Sequence, residues 1–297
     1  LLHKDTWAGG SEDMGPIVAS ALLAMSVAAG AQPGPQAQET AQAGAQVRAP
    51  ATAITVGDRL AGFANLTPGT RTYLRYMIRD NVWRPVDIWR REVRFDEQEG
   101  QRRLHIVQSW TGPPAMPSGP NAPPPATRDL AVDSWFEEGT FRPISHERRS
   151  TRGEEVRNEG FLFTPTRIQG LASTPSNSRA QFTLDTPRPV FNFETDMEIL
   201  QTLPLAEGYA ARLLFYHPGG PPPSEWVFRV TGSTRLPFGV GQVDCWVVTL
   251  ESADAAATLA GRFFVAKQGQ QVLRVEQPMP GGGMVVKQLI ETAPTSG

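Results

Sequence analysis

The stretch Asp87–Phe95 (DIWRREVRF) places Trp89, Val93 and Phe95 on one face and Ile88, Arg90, Glu92 and Arg94 on the other. A period of two marks a strand with one buried and one solvated face. Similar short β-prone runs recur outward from it: Leu104–Trp110 (LHIVQSW), Trp226–Thr231 (WVFRVT), Arg262–Ala266 (RFFVA), Gln271–Glu276 (QVLRVE) and Met284–Ile290 (MVVKQLI). In Cys245–Leu250 (CWVVTL) both faces are largely apolar, so that strand is expected to be covered on both sides and its thiol to be buried and inert.

Turn-rich segments separate the runs: Asp96–Arg102, Glu137–Arg142, Lys267–Gln270 and Pro280–Gly283. Strands at short spacing joined by tight turns favour a sandwich or barrel over parallel βαβ units. One helix is expected at Asp196–Leu203, with Thr195 and Glu198 as a capping box, Met197, Leu200 and Leu203 on one side, and Pro204 as the stop. The fold class is therefore mainly β: a large curved antiparallel sheet or half-open β-barrel with one to three short covering helices. Two Pro-rich segments, 112–127 and 217–224, read as surface loops because proline cannot donate to a central ladder.

The 297 residues carry 28 Lys+Arg against 30 Asp+Glu, and all but Lys4, Lys267 and Lys287 of the basic residues are arginine. This balance argues against a nucleic-acid partner, which selects a basic face. A single cysteine excludes an intramolecular disulfide.

Residues 17–29 (IVASALLAMSVAA) form an uncharged apolar run ending in small residues, followed by Gly30-Ala31 and Gln32-Pro33. That is the pattern of a secretory signal, and thirteen residues are too few to span a bilayer. Residues 1–31 are read as a signal peptide cleaved near Ala31-Gln32, with Met14 as an alternative start that leaves 1–13 untranslated. Removing 1–31 takes away Lys4, Asp5, Glu12 and Asp13 and leaves 27 basic against 27 acidic residues. Residues 32–53, rich in Ala, Gln, Gly and Pro, read as a disordered tether. Residues 54–297 then form a single β-rich domain. The expected location is the periplasm, with no transmembrane anchor in the mature form and a monomeric state.

No sequence motif assigns a catalytic residue. His146-Glu147 begins like a zinc-protease motif but lacks the second histidine, and His105, His146 and His217 are scattered. Neither a metal site nor a cofactor is expected. The pairs Asp96-Glu97, Glu137-Glu138 and Glu154-Glu155 read as solvated hairpin tips. Aromatic and apolar residues crowd the segment around the helix: Phe161, Phe163, Phe191, Phe193, Met197, Leu200, Tyr209, Leu213 and Phe215. They read either as filled core or as the lining of a cavity for an apolar ligand.

The stretches Asp133–Pro143 (DSWFEEGTFRP), Leu205–Tyr216 (LAEGYAARLLFY), Cys245–Val248 and Phe263–Glu276 (FFVAKQGQQVLRVE) resemble a family of exported bacterial proteins, domain of unknown function 3108. With Gly283–Leu289 the resemblance spans about Asp133 to Leu289. It implies a fold similar to the periplasmic lipoprotein-carrier half-barrels, and it brings no catalytic residues. The functional expectation is a non-catalytic periplasmic protein that binds a lipid or lipoprotein-like ligand in its half-barrel, or another envelope protein. The alternatives are an envelope scaffold with a filled core and a hydrolase whose site assembles only in three dimensions.

Overall fold

The computed structural model describes residues 50–112, 128–254 and 256–294. They belong to one compact unit. The expected signal peptide, nearly all of the tether and almost the whole 112–127 loop lie outside the described residues.

Strand follows strand in a meander. β2 (Gly69–Arg79), β3 (Val82–Gln98), β4 (Gln101–Thr111), β5 (Arg128–Glu137), β6 (Pro143–Arg152), β7 (Glu155–Phe163), β8 (Arg167–Gly170) and β9 (Thr183–Asp185) each pair antiparallel with the next. A second meander joins β11 (Ala210–Tyr216), β12 (Ser224–Phe238), β13 (Gly241–Ser252), β14 (Leu259–Ala266), β15 (Val272–Pro278) and β16 (Met284–Ala293). β16 pairs antiparallel with β2, for example Lys287 with Arg75, which makes one sheet of the two meanders. The short strands β1 (Thr52–Ala53) and β10 (Phe191–Asn192) both run parallel to β11.

The turns fix the register. Asp80-Asn81 between β2 and β3, and Glu99-Gly100 between β3 and β4, all have positive φ. Two consecutive positive φ values match the right-handed twist of a two-residue hairpin. The expected turn at Asp96–Arg102 is thus only two residues long, with β3 and β4 extending through most of it.

One face of the sheet is apolar over β11–β15, where Leu213, Phe215, Phe228, Val248, Phe263, Val265 and Val275 are all buried. At one end Phe63, from the 3₁₀ turn Ala61–Asn65, packs edge-on against Phe95 and Phe141. The inner side is occupied by α1 (Asp196–Thr202), all seven residues of which are buried. A helix is polar on one side unless it is enclosed, and this one is enclosed.

The sheet is not closed by a ladder, since β9 and β11 are not hydrogen-bonded to each other. Side chains close the gap instead. Phe161, Phe163, Ile168, Val190 and Tyr216 form one cluster, with the Phe163 and Tyr216 rings 6.4 Å apart in an edge contact.

On the outer side of β7 the segment 171–178 lies directly on the strand. The Asn177 amide accepts from Gly160 N and donates to Gly160 O, both at 3.0 Å. A Cβ at Gly160 would sit 1.9 Å from the Thr174 hydroxyl oxygen. Gly160→Ala is expected to cost about 1–3 kcal/mol by overpacking, read from urea unfolding; an unchanged midpoint would show that this segment is not packed as described.

Candidate functional site

Strand parity puts Trp89, Arg91, Val93 and Phe95 of β3 on the inner face. Register continues that face through Tyr73 and Arg75 of β2 and Lys287 of β16. Four cations of that face, Arg71, Arg75, Arg91 and Lys287, are buried; Arg75 pairs with Asp87 of β3, whereas the acid facing Arg91 comes from α1.

Arg91 is the centre of this group. Its Nε donates to Glu198 Oε1 at 2.8 Å, and one terminal nitrogen donates to both Glu198 Oε2 and the backbone oxygen of Glu194. Burial works against its charge, but the Glu198 carboxylate more than offsets this and holds the guanidinium above its usual range. Glu194 accepts from Gln108 Nε2 at 2.8 Å, and Gln108 Oε1 accepts from Trp89 Nε1 at 3.0 Å. Burial alone would raise the Glu194 pKa; His146, the Gln108 hydrogen bond and Arg91 together hold it below the usual carboxylate range. Gln270, from the β14–β15 hairpin, donates to the last carbonyls of the helix segment, Gln201 O at 2.7 Å and Leu203 O at 2.9 Å.

Around that core sit groups whose charge burial opposes. Lys287 Nζ lies 4.9 Å from the Trp89 ring centroid, and burial pulls its pKa down to about 8. Burial raises Asp196 to about 6. Burial lowers His146 and His217 to about 4 each. His146 Nδ1 is 2.9 Å from Ser134 Oγ, and His217 stacks on Phe193 at 3.9 Å with its Nε2 buried and without a hydrogen-bond partner among the described residues.

The nine cavity candidates read from sequence divide into groups. Phe161 and Phe163 belong to the cluster that closes the gap between the sheet ends. Phe193, Phe191 and Phe215 begin a chain of rings that continues through Phe228 to Phe263, with successive centroids 5.1–6.1 Å apart. Met197 and Leu200 are fully buried within α1 and Leu213 within β11, and Tyr209, just before β11, is half-buried. His146 and Glu147 are successive strand residues and face opposite sides: His146 points inward to Ser134, while Glu147 accepts from Thr174 on the outer side. The Glu198 side chain goes to Arg91 and not to a capping box, and the Thr195 hydroxyl donates to Asn192 O. Cys245 is a buried free thiol whose pKa burial raises, as expected from its strand.

Sequence reasoning missed Arg91, Lys287 and Glu194. The first two carried a readable signal: each is a charge on the apolar parity of its strand, between Trp89 and Val93, and between Val285 and Leu289. The outer side of the same sheet carries a cleft of about 510 Å³ across β4–β7, with Val107, Ala131, Val156 and Pro175 as its apolar lining. Among the described residues no group of His, Cys, Asp and Glu is placed to hold a metal ion. No described helix is long and apolar enough to cross a membrane.

One solved structure similar to the chain is a β-barrel-like protein of domain of unknown function DUF1849 from Brucella abortus. It has 9% identity and a TM-score of 0.47, covering 78% of this chain and 99% of the other. Another is a DUF1329 family protein from Desulfovibrio piger, with 11% identity and a TM-score of 0.32, covering 81% of this chain and 95% of the other. No curated protein matches the sequence. The profile of the family described as "Protein of unknown function (DUF3108)" matches residues 72–288, from β2 to β16, and the chain belongs to that family.

Proposed function

We propose that the chain is a non-catalytic protein of the bacterial periplasm, exported by residues 1–31, that carries an apolar ligand on the inner face of its half-barrel. The observation that supports this most directly is the chain of rings Phe193–Phe215–Phe228–Phe263, which continues the apolar wall of β11–β15. The seven-residue α1, which packs against β15, is fastened by Arg91 and Gln270, while Gln108 holds Glu194 just ahead of it. The ligand would take the place of α1 on that wall.

An anthroyloxy-labelled fatty acid tests the reading. The protein is expected to bind it, and Glu198→Gln, which loosens the fastening of α1, is expected to tighten binding about tenfold, because apparent affinity scales with the fraction of open protein. Absence of binding in both the natural protein and this variant, each shown to be folded by circular dichroism, would sink the reading. The export arm predicts a mature N-terminus near Gln32 in protein recovered from a periplasmic extract, read by N-terminal sequencing. Retention of Met14 there would refute it.

A further inference from the structure

Three guanidinium groups converge on one carboxylate at the inner side of β6 and β7. Glu159 Oε2 accepts from Arg148 Nε at 2.7 Å, and Oε1 accepts from Arg157 Nη2 and Arg179 Nε, each at 2.9 Å. One arginine neutralises one carboxylate, so the cluster holds two positive charges more than its own acid balances. Burial alone would raise the Glu159 pKa; Arg148 leads the arginines in holding it below the usual range. Three like charges gathered on one anion repel one another, although Arg179 and Arg157 also help to hold Glu159 ionised.

The unused donors face outward. The Arg157 side chain is 51% exposed and that of Arg179 33% exposed, whereas Glu159 is buried. Arg157 Nε is held by Ser178 Oγ at 3.3 Å, which fixes the plane of the guanidinium. Arg157 Nη1 and the two terminal nitrogens of Arg179 have no protein partner among the described residues. Gly219 brings a loop onto the cluster: a Cβ there would lie 3.3 Å from Arg148 Nη2, 3.5 Å from Arg179 Nη2 and 3.5 Å from Phe161 Cζ. The cluster thus borders Phe161 of the apolar group that joins the sheet ends.

We infer that Arg148, Arg157 and Arg179 form a site for a phosphate-type anion. Resting on the carrier reading above, the inference extends to a ligand class: an amphiphile whose phosphate lies on the arginines and whose chain lies toward Phe161. The two free terminal nitrogens of Arg179 can pair bidentately with phosphate oxygens, as a lysine could not, Arg157 Nη1 adds a further donor, and Arg148 neutralises Glu159 beneath them.

The test titrates the full protein with inorganic phosphate, reading arginine Nε resonances by NMR. It then compares dodecyl phosphate with dodecyl maltoside, both below micelle formation. The natural protein is expected to show phosphate-dependent shifts and to bind dodecyl phosphate at least about tenfold tighter than the maltoside, the scale of one or two charged hydrogen bonds. Arg157→Ala/Arg179→Ala leaves Arg148 to neutralise Glu159. It should abolish the phosphate shifts and reduce the preference to about twofold or less, with maltoside affinity unchanged. Binding of inorganic phosphate but of neither amphiphile would support the anion site and sink the carrier reading. Binding of both amphiphiles with equal affinity, or phosphate shifts that persist in the double variant, would overturn the arginine site and leave the carrier reading standing.

Discussion

Arg91→Ala is expected to destabilise the protein by about 3–5 kcal/mol, the cost of stripping one partner from a buried ion pair. The truncation leaves the Glu198 carboxylate enclosed without its cation, in a helix where it has no exposure. It also leaves the Glu194 carbonyl without the donor it now has, and an unmet buried acceptor adds its own desolvation cost. The pair itself contributes little net stability, because bringing two charges out of water offsets most of their attraction. Arg91→Met/Glu198→Met should therefore recover most of the loss, to within about 1–2 kcal/mol of the natural protein. Urea midpoints and slopes for the three proteins decide the matter. A single-variant cost below about 1 kcal/mol, or a double variant as unstable as the single, would show that Arg91 is not enclosed with Glu198.

Acidification is the second large effect. His146 takes its proton near 6.5 when unfolded and near 4 when folded, because burial disfavours the imidazolium. Between those values the unfolded chain binds more protons, so this contribution is complete above pH 6.5 and is lost as the pH falls toward 4. The shift corresponds to about 3 kcal/mol. His217 acts in the same direction and is less enclosed as a residue. Asp196 opposes them. Its folded carboxyl protonates near 6 against 3.8 unfolded, so it adds stability on acidification through the same window. Two histidines against one aspartate give a net loss. His146→Gln, which preserves a partner for Ser134, should flatten the dependence between pH 6.5 and 4, and Asp196→Asn should steepen it. Parallel stability–pH curves for all three proteins would contradict the buried, neutral state of His146.

The strands were legible because their period of two survives in a single sequence: DIWRREVRF sits inside β3, and CWVVTL inside β13. The helix was legible within a residue of its end, from Met197, Leu200 and the proline that follows. Its meaning was not. Local spacing assigned Glu198 to a capping box, while its partner Arg91 lies 107 positions away in the chain. No local pattern carries a pairing over that separation. The phenylalanines marked around the helix are buried, while Tyr209 is half-buried. Their division between the joint of the sheet ends and the wall beside α1 depends on strand order, which periodicity does not encode. Arg148, Arg157 and Arg179 likewise converge through register and a returning loop, and each alone reads as one more arginine in an arginine-rich chain.

The ladder between β16 and β2 joins residues more than two hundred positions apart, such as Met284 with Ile78, yet it lies in the middle of the strand order. The last described strand in chain order is thus a central one of the sheet. Until it docks, β2 presents an unpaired edge that carries Tyr73, Leu74, Tyr76, Met77 and Ile78. Such an edge is a template for pairing with another chain, and a contact of this sequence separation forms late. A nascent chain, or one clipped ahead of Met284, exposes that edge while most of its strands are already made. Its vulnerability to aggregation is therefore concentrated in the interval before β16 docks, and a holding chaperone would have most to do until that ten-residue strand arrives.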